Sequence, residues 1–288
     1  MKEIQGLETL RAALPGGSVI TYRAGGPPVG EAVVLLHGGG TDHARLSWRE
    51  TIPPLLAAGF RVFAPDYPGY GDSPRDGQPS TVGHLLRCLE GLMGHWRLER
   101  ASFVGVSLGG ALAIGHALAH PGQVRRLVLI GTYGIQDRVP FHALSFLMVR
   151  MPWLMRGLWA LARGSRAAAR YSLHSIVRSP QARGEALLDE VLQAMQNRSS
   201  QQAFMETQRD DVRWRGLKTN FTERLGEIEA PALMVHGSHD AGVPLHWAQR
   251  AAARLKNGQL AVFENAGHWT QRDQPERFNQ LLLEFLRT

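Results

Sequence analysis

The 288-residue sequence predicts an α/β protein: a mainly parallel sheet covered by helices and broken once by a helical insertion. Three observations lead there. Short apolar runs bounded by glycine and proline alternate with longer segments of helical spacing. The alternation stops between about Gly134 and Leu225, where helical stretches follow one another. It resumes at Ala232 and continues to the last helix, Pro275–Leu286.

Taken in order, Ser18–Arg23 reads as a short strand, and Ala32–Leu36 as a buried strand running into Gly38-Gly39-Gly40. Trp48–Ala58 has helical spacing and is closed by Gly59, with Pro53 in its first turns, where proline is tolerated. Arg61–Ala64 is a strand, and the turn-rich Pro65–Pro74 follows it. Thr81–Trp96 is a helix, Ala101–Val106 a strand, Leu108–Ala119 a small-residue helix and Val124–Ile130 a strand. Four helical stretches then fall at Phe141–Leu161, Arg166–Val177, Gly184–Asn197 and Gln201–Asp211. Strand Ala232–His236, helix Leu245–Leu255 and strand Gln259–Glu264 complete the pattern before the last helix. This order divides the chain into a core of residues 1–133 and 226–288 and a helical cap of residues 134–225.

A composition of 44% hydrophobic and 20% charged residues is that of a soluble globular protein. The single cysteine, Cys88, excludes an intrachain disulfide and sits among leucines as a core thiol. That fits a reducing compartment, and a cytoplasmic location is the expectation. Met1–Leu14 has no apolar signal region, and Arg150 and Arg156 interrupt the longest apolar stretch, so no stable membrane insertion is expected. The net charge of +7 comes almost wholly from dispersed arginines; the only lysines are Lys2, Lys218 and Lys256. We read this as a solvated basic surface, not a nucleic-acid footprint. The expected partner is a small-molecule substrate, and a homodimer is compatible with the sequence.

Gly105-Val106-Ser107-Leu108-Gly109 matches G-x-S-x-G between a strand and a helix. In that setting a serine stands on a tight turn, glycines on either side let strand and helix approach, and the helix N-terminus supplies free N–H groups. The plainer reading is a glycine-flanked serine in an ordinary βα turn. His37-Gly38-Gly39-Gly40 lies after another strand, where the Gly39 N–H and that of Leu108 are placed to hold an oxyanion. A phosphate loop is the alternative, but neither G-x-G-x-x-G nor a P-loop lysine is present. His37 itself reads as a residue that shapes the loop.

Serine needs a base. Of twelve histidines, His268 follows the last strand and precedes the last helix, on the sheet edge that carries Ser107. Asp240 follows the preceding strand in the same way and would orient the imidazole. The order Ser107, Asp240, His268 fits a nucleophile–acid–base set. Asp66 and Asp72 look structural, Asp273 reads as a cap of the last helix, and Gly131-Thr132 offers no acid. Gly40 and Trp269 are the candidate pocket residues. No metal or organic cofactor is implied.

In combination, His37–Gly40, Asp66–Ser73, Gly105–Gly110, Gly237–Asp240 and Gly267–Trp269 resemble the α/β-hydrolase superfamily. The resemblance implies an eight-stranded sheet with a helical lid inserted after the sixth strand. Serine at the nucleophile position sets the chain apart from members that use aspartate there, the haloalkane dehalogenases and epoxide hydrolases. Gly267-His268-Trp269 with Phe278-Asn279, and the glycine loop followed by Ser47-Trp48, are similar to the meta-cleavage product hydrolases, which cut carbon–carbon bonds of dienoates. Two departures stand out: Val106 precedes the nucleophile where that family often has asparagine, and Val191 falls where it has a lid arginine. Arg183 and Arg198 are the nearby substitutes.

The expected function is therefore serine-hydrolase cleavage of a carboxylic ester of a small or medium apolar acyl or aromatic substrate. The alternatives are carbon–carbon hydrolysis of dienoates and a ligand receptor on the same fold. The methionines and tryptophans of Phe141–Leu161 suit a pocket roof, plain helix packing or a helix lying on lipid.

Overall fold

The computed structural model describes residues 4–288; the first three residues of the Met1–Leu14 segment lie outside the described residues. Strands β1 (Leu7–Ala13) and β2 (Val19–Gly25) form an antiparallel hairpin. The chain continues through β3 (Ala32–Leu36), α1 (Ala44–Trp48), α2 (Ile52–Ala57), β4 (Arg61–Pro65), α3 (Val82–His95), β5 (Ala101–Val106), α4 (Leu108–Ala119) and β6 (Val124–Ile130). Next come α5 (His142–Val149), α6 (Pro152–Ala162), α7 (Arg166–Ile176), α8 (Glu185–Ala194) and α9 (Arg198–Asp211). A small hairpin of β7 (Val212–Arg213) and β8 (Gly216–Leu217) follows. The chain returns to the sheet with β9 (Ala232–Gly237), α10 (Leu245–Ala252), β10 (Gly258–Phe263), α11 (Thr270–Asp273) and α12 (Pro275–Arg287).

The eight-stranded sheet has the order β1-β2-β4-β3-β5-β6-β9-β10. Only β2 runs against its neighbours; from β4 to β10 every pairing is parallel. Strands β3, β5 and β9 are buried along their whole length, which explains why they read as largely apolar runs. Their residues alternate between two cores. Val34, Leu36 and Phe103 pack on one face with α3, α4 and α10. Val33, Leu35, Val104 and Val106 pack on the other with α1, α2 and α12.

Several elements differ from the sequence reading, among them the β7–β8 hairpin within the segment read as helical. Strand β1 is unforeseen because an edge strand that is mostly exposed carries no apolar run. The helix expected over Trp48–Ala58 starts only at Ile52 as α2, which puts Pro53 and Pro54 in its first turn, and the unforeseen α1 ends at Trp48. Pro152 likewise stands in the first turn of α6 and divides Phe141–Leu161 into α5 and α6.

Cys88 lies on the inner face of α3, its Sγ 3.8 Å from His84 Nε2, and burial pushes the thiol pKa up to about 11. Among the described residues no helix is long and apolar enough to cross a membrane.

Candidate active site

Adjacent strands β3 and β5 lead on to β4 and β6 on opposite sides, so the connections leaving their carboxyl ends diverge. Open α/β sheets form their ligand crevice at such a point. The loops after β3 and β5 are His37–Gly40 and the turn at Ser107; β9 and β10 lead to Asp240 and His268 on the same edge.

Ser107 has φ 51° and ψ −115°, a conformation that side chains resist and that costs about 1–3 kcal/mol. Packing enforces it. A Cβ on Gly105 would stand 2.3 Å from the Gly109 carbonyl oxygen, and one on Gly109 would stand 2.0 Å from that of Leu36. Only glycine permits this contact of strand with helix. The Ser107 N–H donates to the Ile130 carbonyl at 2.9 Å, and the Tyr133 N–H donates to the Ser107 carbonyl at 3.0 Å. Leu108 opens α4, so its N–H is the first of the donors that an α-helix leaves without an internal partner.

His268 Nδ1 lies 2.8 Å from Asp240 Oδ2, and the Gly242 and Val243 N–H groups donate to Oδ1 at 2.8 and 2.9 Å. His236 donates from Nε2 to the Val243 carbonyl at 2.7 Å and stands 3.5 Å from Asp240 Oδ2. Burial raises the Asp240 pKa, but the charge and hydrogen bond of His268, the charge of His236 and the Val243 N–H outweigh it and hold the carboxyl below the usual range. Burial lowers the His268 pKa, yet the Asp240 charge and hydrogen bond, with a smaller pull from Asp42, bring it above 6.5. The geometry makes Nδ1 the donor, which leaves Nε2 as the basic atom. Among the described residues no hydrogen bond joins Nε2 to Ser107 Oγ. The Ile130–Gly131 peptide runs between the Ser107 turn and the His268–Asp240 pair. Ser107 binds one end of it, and a Cβ on Gly131 would lie 3.0 Å from His268 Nδ1 and 3.1 Å from Asp240 Oδ2.

The glycine loop is held from both sides. The His37 ring stacks on Tyr67 at 3.9 Å, donates from Nδ1 to the Gly38 carbonyl at 2.7 Å and accepts the Tyr67 N–H at Nε2. Burial lowers its pKa to about 4, which fixes it as a neutral structural ring. Asp42 accepts the Gly38 N–H at 2.7 Å, the His43 N–H at 2.8 Å and the Ser47 hydroxyl at 2.5 Å. Burial pushes its pKa up to about 6. Gly40 has φ +75° with open space around its α-carbon, whereas a Cβ on Gly39 would meet the Phe204 ring at 3.0 Å. Trp269 is buried in the second core and its N–H donates to the Ile176 carbonyl at 2.9 Å.

Sequence reasoning missed Asp42, Phe204 and the work of Asp273. Asp42 and Phe204 lie outside the motifs, and only the fold brings them to the glycine loop. Asp273 does not cap the last helix. Its carboxylate accepts the N–H groups of Arg178, Ser179 and Gly267 at 2.6–2.7 Å, tying the end of α7 to the His268 loop. Asp66 is structural as expected: it is fully buried, accepting from Arg23 and from the Ala44 and Asp72 N–H groups. Val191 is buried in the second core, so α8 contributes no charge at that position. A cavity of about 320 Å³ beneath α5, α6 and α9 is lined by Met148, Met155, Phe204 and the arginines Arg156 and Arg209.

Comparison with known proteins separates the two hydrolytic readings. A 2-hydroxy-6-oxononadienedioate/2-hydroxy-6-oxononatrienedioate hydrolase of Paraburkholderia xenovorans is 31% identical over 264 residues, covering 89% of this chain and 86% of that protein. A 2-hydroxy-6-oxo-6-phenylhexa-2,4-dienoate hydrolase of Burkholderia cepacia is 31% identical over 268 residues, with 89% and 88% covered. A solved meta-cleavage product hydrolase of Pseudomonas fluorescens superposes with a TM-score of 0.81 at 28% identity, covering 99% of both chains. These relatives overturn the expectation of a carboxylic-ester hydrolase. The physical reason is that a serine, a base and an acid specify how a carbonyl is attacked, not which bond then breaks. Residues 31–275 match the α/β-hydrolase fold family, and the chain belongs to that family as a hydrolase similar to the meta-cleavage product hydrolases.

Proposed function

We propose that the protein hydrolyses the carbon–carbon bond next to the 6-oxo group of a 2-hydroxy-6-oxo-dienoate. The similarity to hydrolases named for such compounds, spanning 89% of the chain, carries this reading. The paired His268 and Asp240 beside the strained Ser107 give it a chemistry.

Breaking a carbon–carbon bond requires a carbon that can leave with the electron pair. In the keto form of the substrate, that carbon departs as an enolate conjugated to the acid end. Ser107 Oγ adds to the 6-oxo carbon as its proton passes to His268 Nε2. The Gly39 and Leu108 N–H groups receive the oxyanion; one such donor is worth about 3 kcal/mol. Collapse expels the dienoate fragment, which takes the proton from His268. Water, deprotonated by His268, then releases the acid from Ser107. The balance is one water consumed, one carboxylic acid and one 2-hydroxydienoate formed. Asp240 holds the imidazole tautomer and stabilises its charged form.

The substrate's carboxylate needs a cation. Val191 supplies none, and we assign this part to Arg156 and Arg209 of the cavity that Phe204 links to Gly39. Helices α5–α9 act as the lid, and Gly40 lines the mouth.

The test is turnover of 2-hydroxy-6-oxo-6-phenylhexa-2,4-dienoate, read as loss of its chromophore and appearance of benzoate. Wild type should turn over, Ser107→Ala should lose at least about 10³-fold in kcat, and Arg209→Gln should raise KM. No turnover by wild type would overturn the proposal.

A further inference from the structure

We infer that the outer face of α5 and α6 docks on an anionic lipid bilayer. Two independent observations meet there.

The first is apolar exposure. Neither α5 nor α6 buries a single residue. Six of the ten exposed large hydrophobic side chains among the described residues lie on these helices or at the N-cap of α5. Phe141 is 85% exposed, Trp153 65% and Leu161 81%. Leu144 and Leu147 are three residues apart on α5, and Trp153 and Leu161 eight apart on α6, so each helix gathers them toward one side. A face of this kind marks an interaction site.

The second is charge. Between Arg138 and Gly184 the chain carries eight arginines and no aspartate or glutamate; Arg166 and Arg170 pair with Glu185 and Asp189 of α8, whereas Arg138, Arg150, Arg156 and Arg163 have no acidic partner among the described residues. Arg150, at the C-terminal end of α5, is exposed, lies over the half-buried Phe146 ring at 4.6 Å and donates to the Arg209 and Val212 carbonyls, with no acid to neutralise it. An apolar strip flanked by cations is what an interfacial helix presents, with aliphatic and aromatic groups among acyl chains and guanidinium groups at phosphates. The charge also argues against a second copy as occupant. A two-fold contact through this face would set arginine against arginine, with no acid on these helices to relieve it.

The opposite sides of the same helices roof the cavity with Met148 and Met155. Docking would therefore place that cavity directly under the lipid surface, within reach of an apolar compound dissolved in it. The docking itself does not rest on the proposed reaction, because it is read without turnover.

The experiment is cosedimentation of the untagged full chain with vesicles of phosphatidylcholine alone and of phosphatidylcholine containing phosphatidylglycerol. Binding is expected to the anionic vesicles only, to weaken by an order of magnitude or more as salt rises, and to be lost in Trp153→Glu/Leu161→Glu. Both replaced side chains are exposed, and an unchanged thermal melt of the variant verifies its fold. Failure of wild type to bind the anionic vesicles, or equal binding by the variant, would overturn the inference. So would a wild-type dimer that the same substitutions dissociate while no vesicle binding occurs, a result that would assign the face to a second copy.

Discussion

At the scale of single residues, the proposed reaction depends on two side chains held away from their ordinary states. His268 must be neutral to accept a proton, while Asp240 favours its protonated form and lifts its pKa above 6.5. The acidic limb of kcat/KM should therefore lie above pH 6.5, with activity lost as pH falls through it. Asp240→Asn removes the opposing charge but leaves the burial, so the limb should move to lower pH. Its kcat should fall about 10⁴-fold through loss of the tautomer. A limb that stays in place in Asp240→Asn would show that the carboxylate does not set this pKa. Ser107 carries its strain in the backbone. Ser107→Gly should abolish turnover yet raise the unfolding free energy by about 1 kcal/mol, since glycine accepts φ 51°. Denaturant melts of Ser107→Gly and Ser107→Ala check this, because alanine removes the hydroxyl without relieving the turn.

At the scale of elements, Asp273 is the join between the helical segment and the sheet edge. Three backbone N–H groups converge on its buried carboxylate, two from the end of α7 and one from Gly267 beside His268. Asp273→Ala leaves those donors unpaired, at a cost of about 3 kcal/mol. A lower Tm should come with a kcat loss larger than the KM change, because the His268 loop loses its anchor. An unchanged kcat in folded Asp273→Ala would show that the loop holds its own shape. The same residue shows what a sequence can reveal. Its position before Pro275 suggested a helix cap, and nothing local disclosed partners 94 and 95 residues away. The breaks at Pro53 and Pro152 were legible as prolines but not as boundaries, because proline is compatible with a first turn as well as with a stop. Asp240 was legible because it follows β9, a fully buried strand that reads as an apolar run, and His268 because it follows the Leu260–Phe263 apolar run of the edge strand β10.

At the scale of the whole molecule, the parallel sheet and its inserted helices could be read from alternation alone, whereas β1 could not, lying at an edge where few of its side chains are buried. The proposed bond was legible only in part, because Val191, buried in the core, falls where the resemblance places a lid arginine. Resemblance and local chemistry pointed in different directions, and the relatives favour the resemblance.

The protonated, enclosed sulfur on α3 has a practical sequel. Maleimides attack thiolates they can reach, so the native chain should be silent toward them. A single cysteine introduced at the surface, for instance Leu161→Cys, becomes a unique handle for a fluorophore without first deleting the natural one. Movements of the outer helices during turnover can then be followed by spectroscopy in an otherwise unaltered protein.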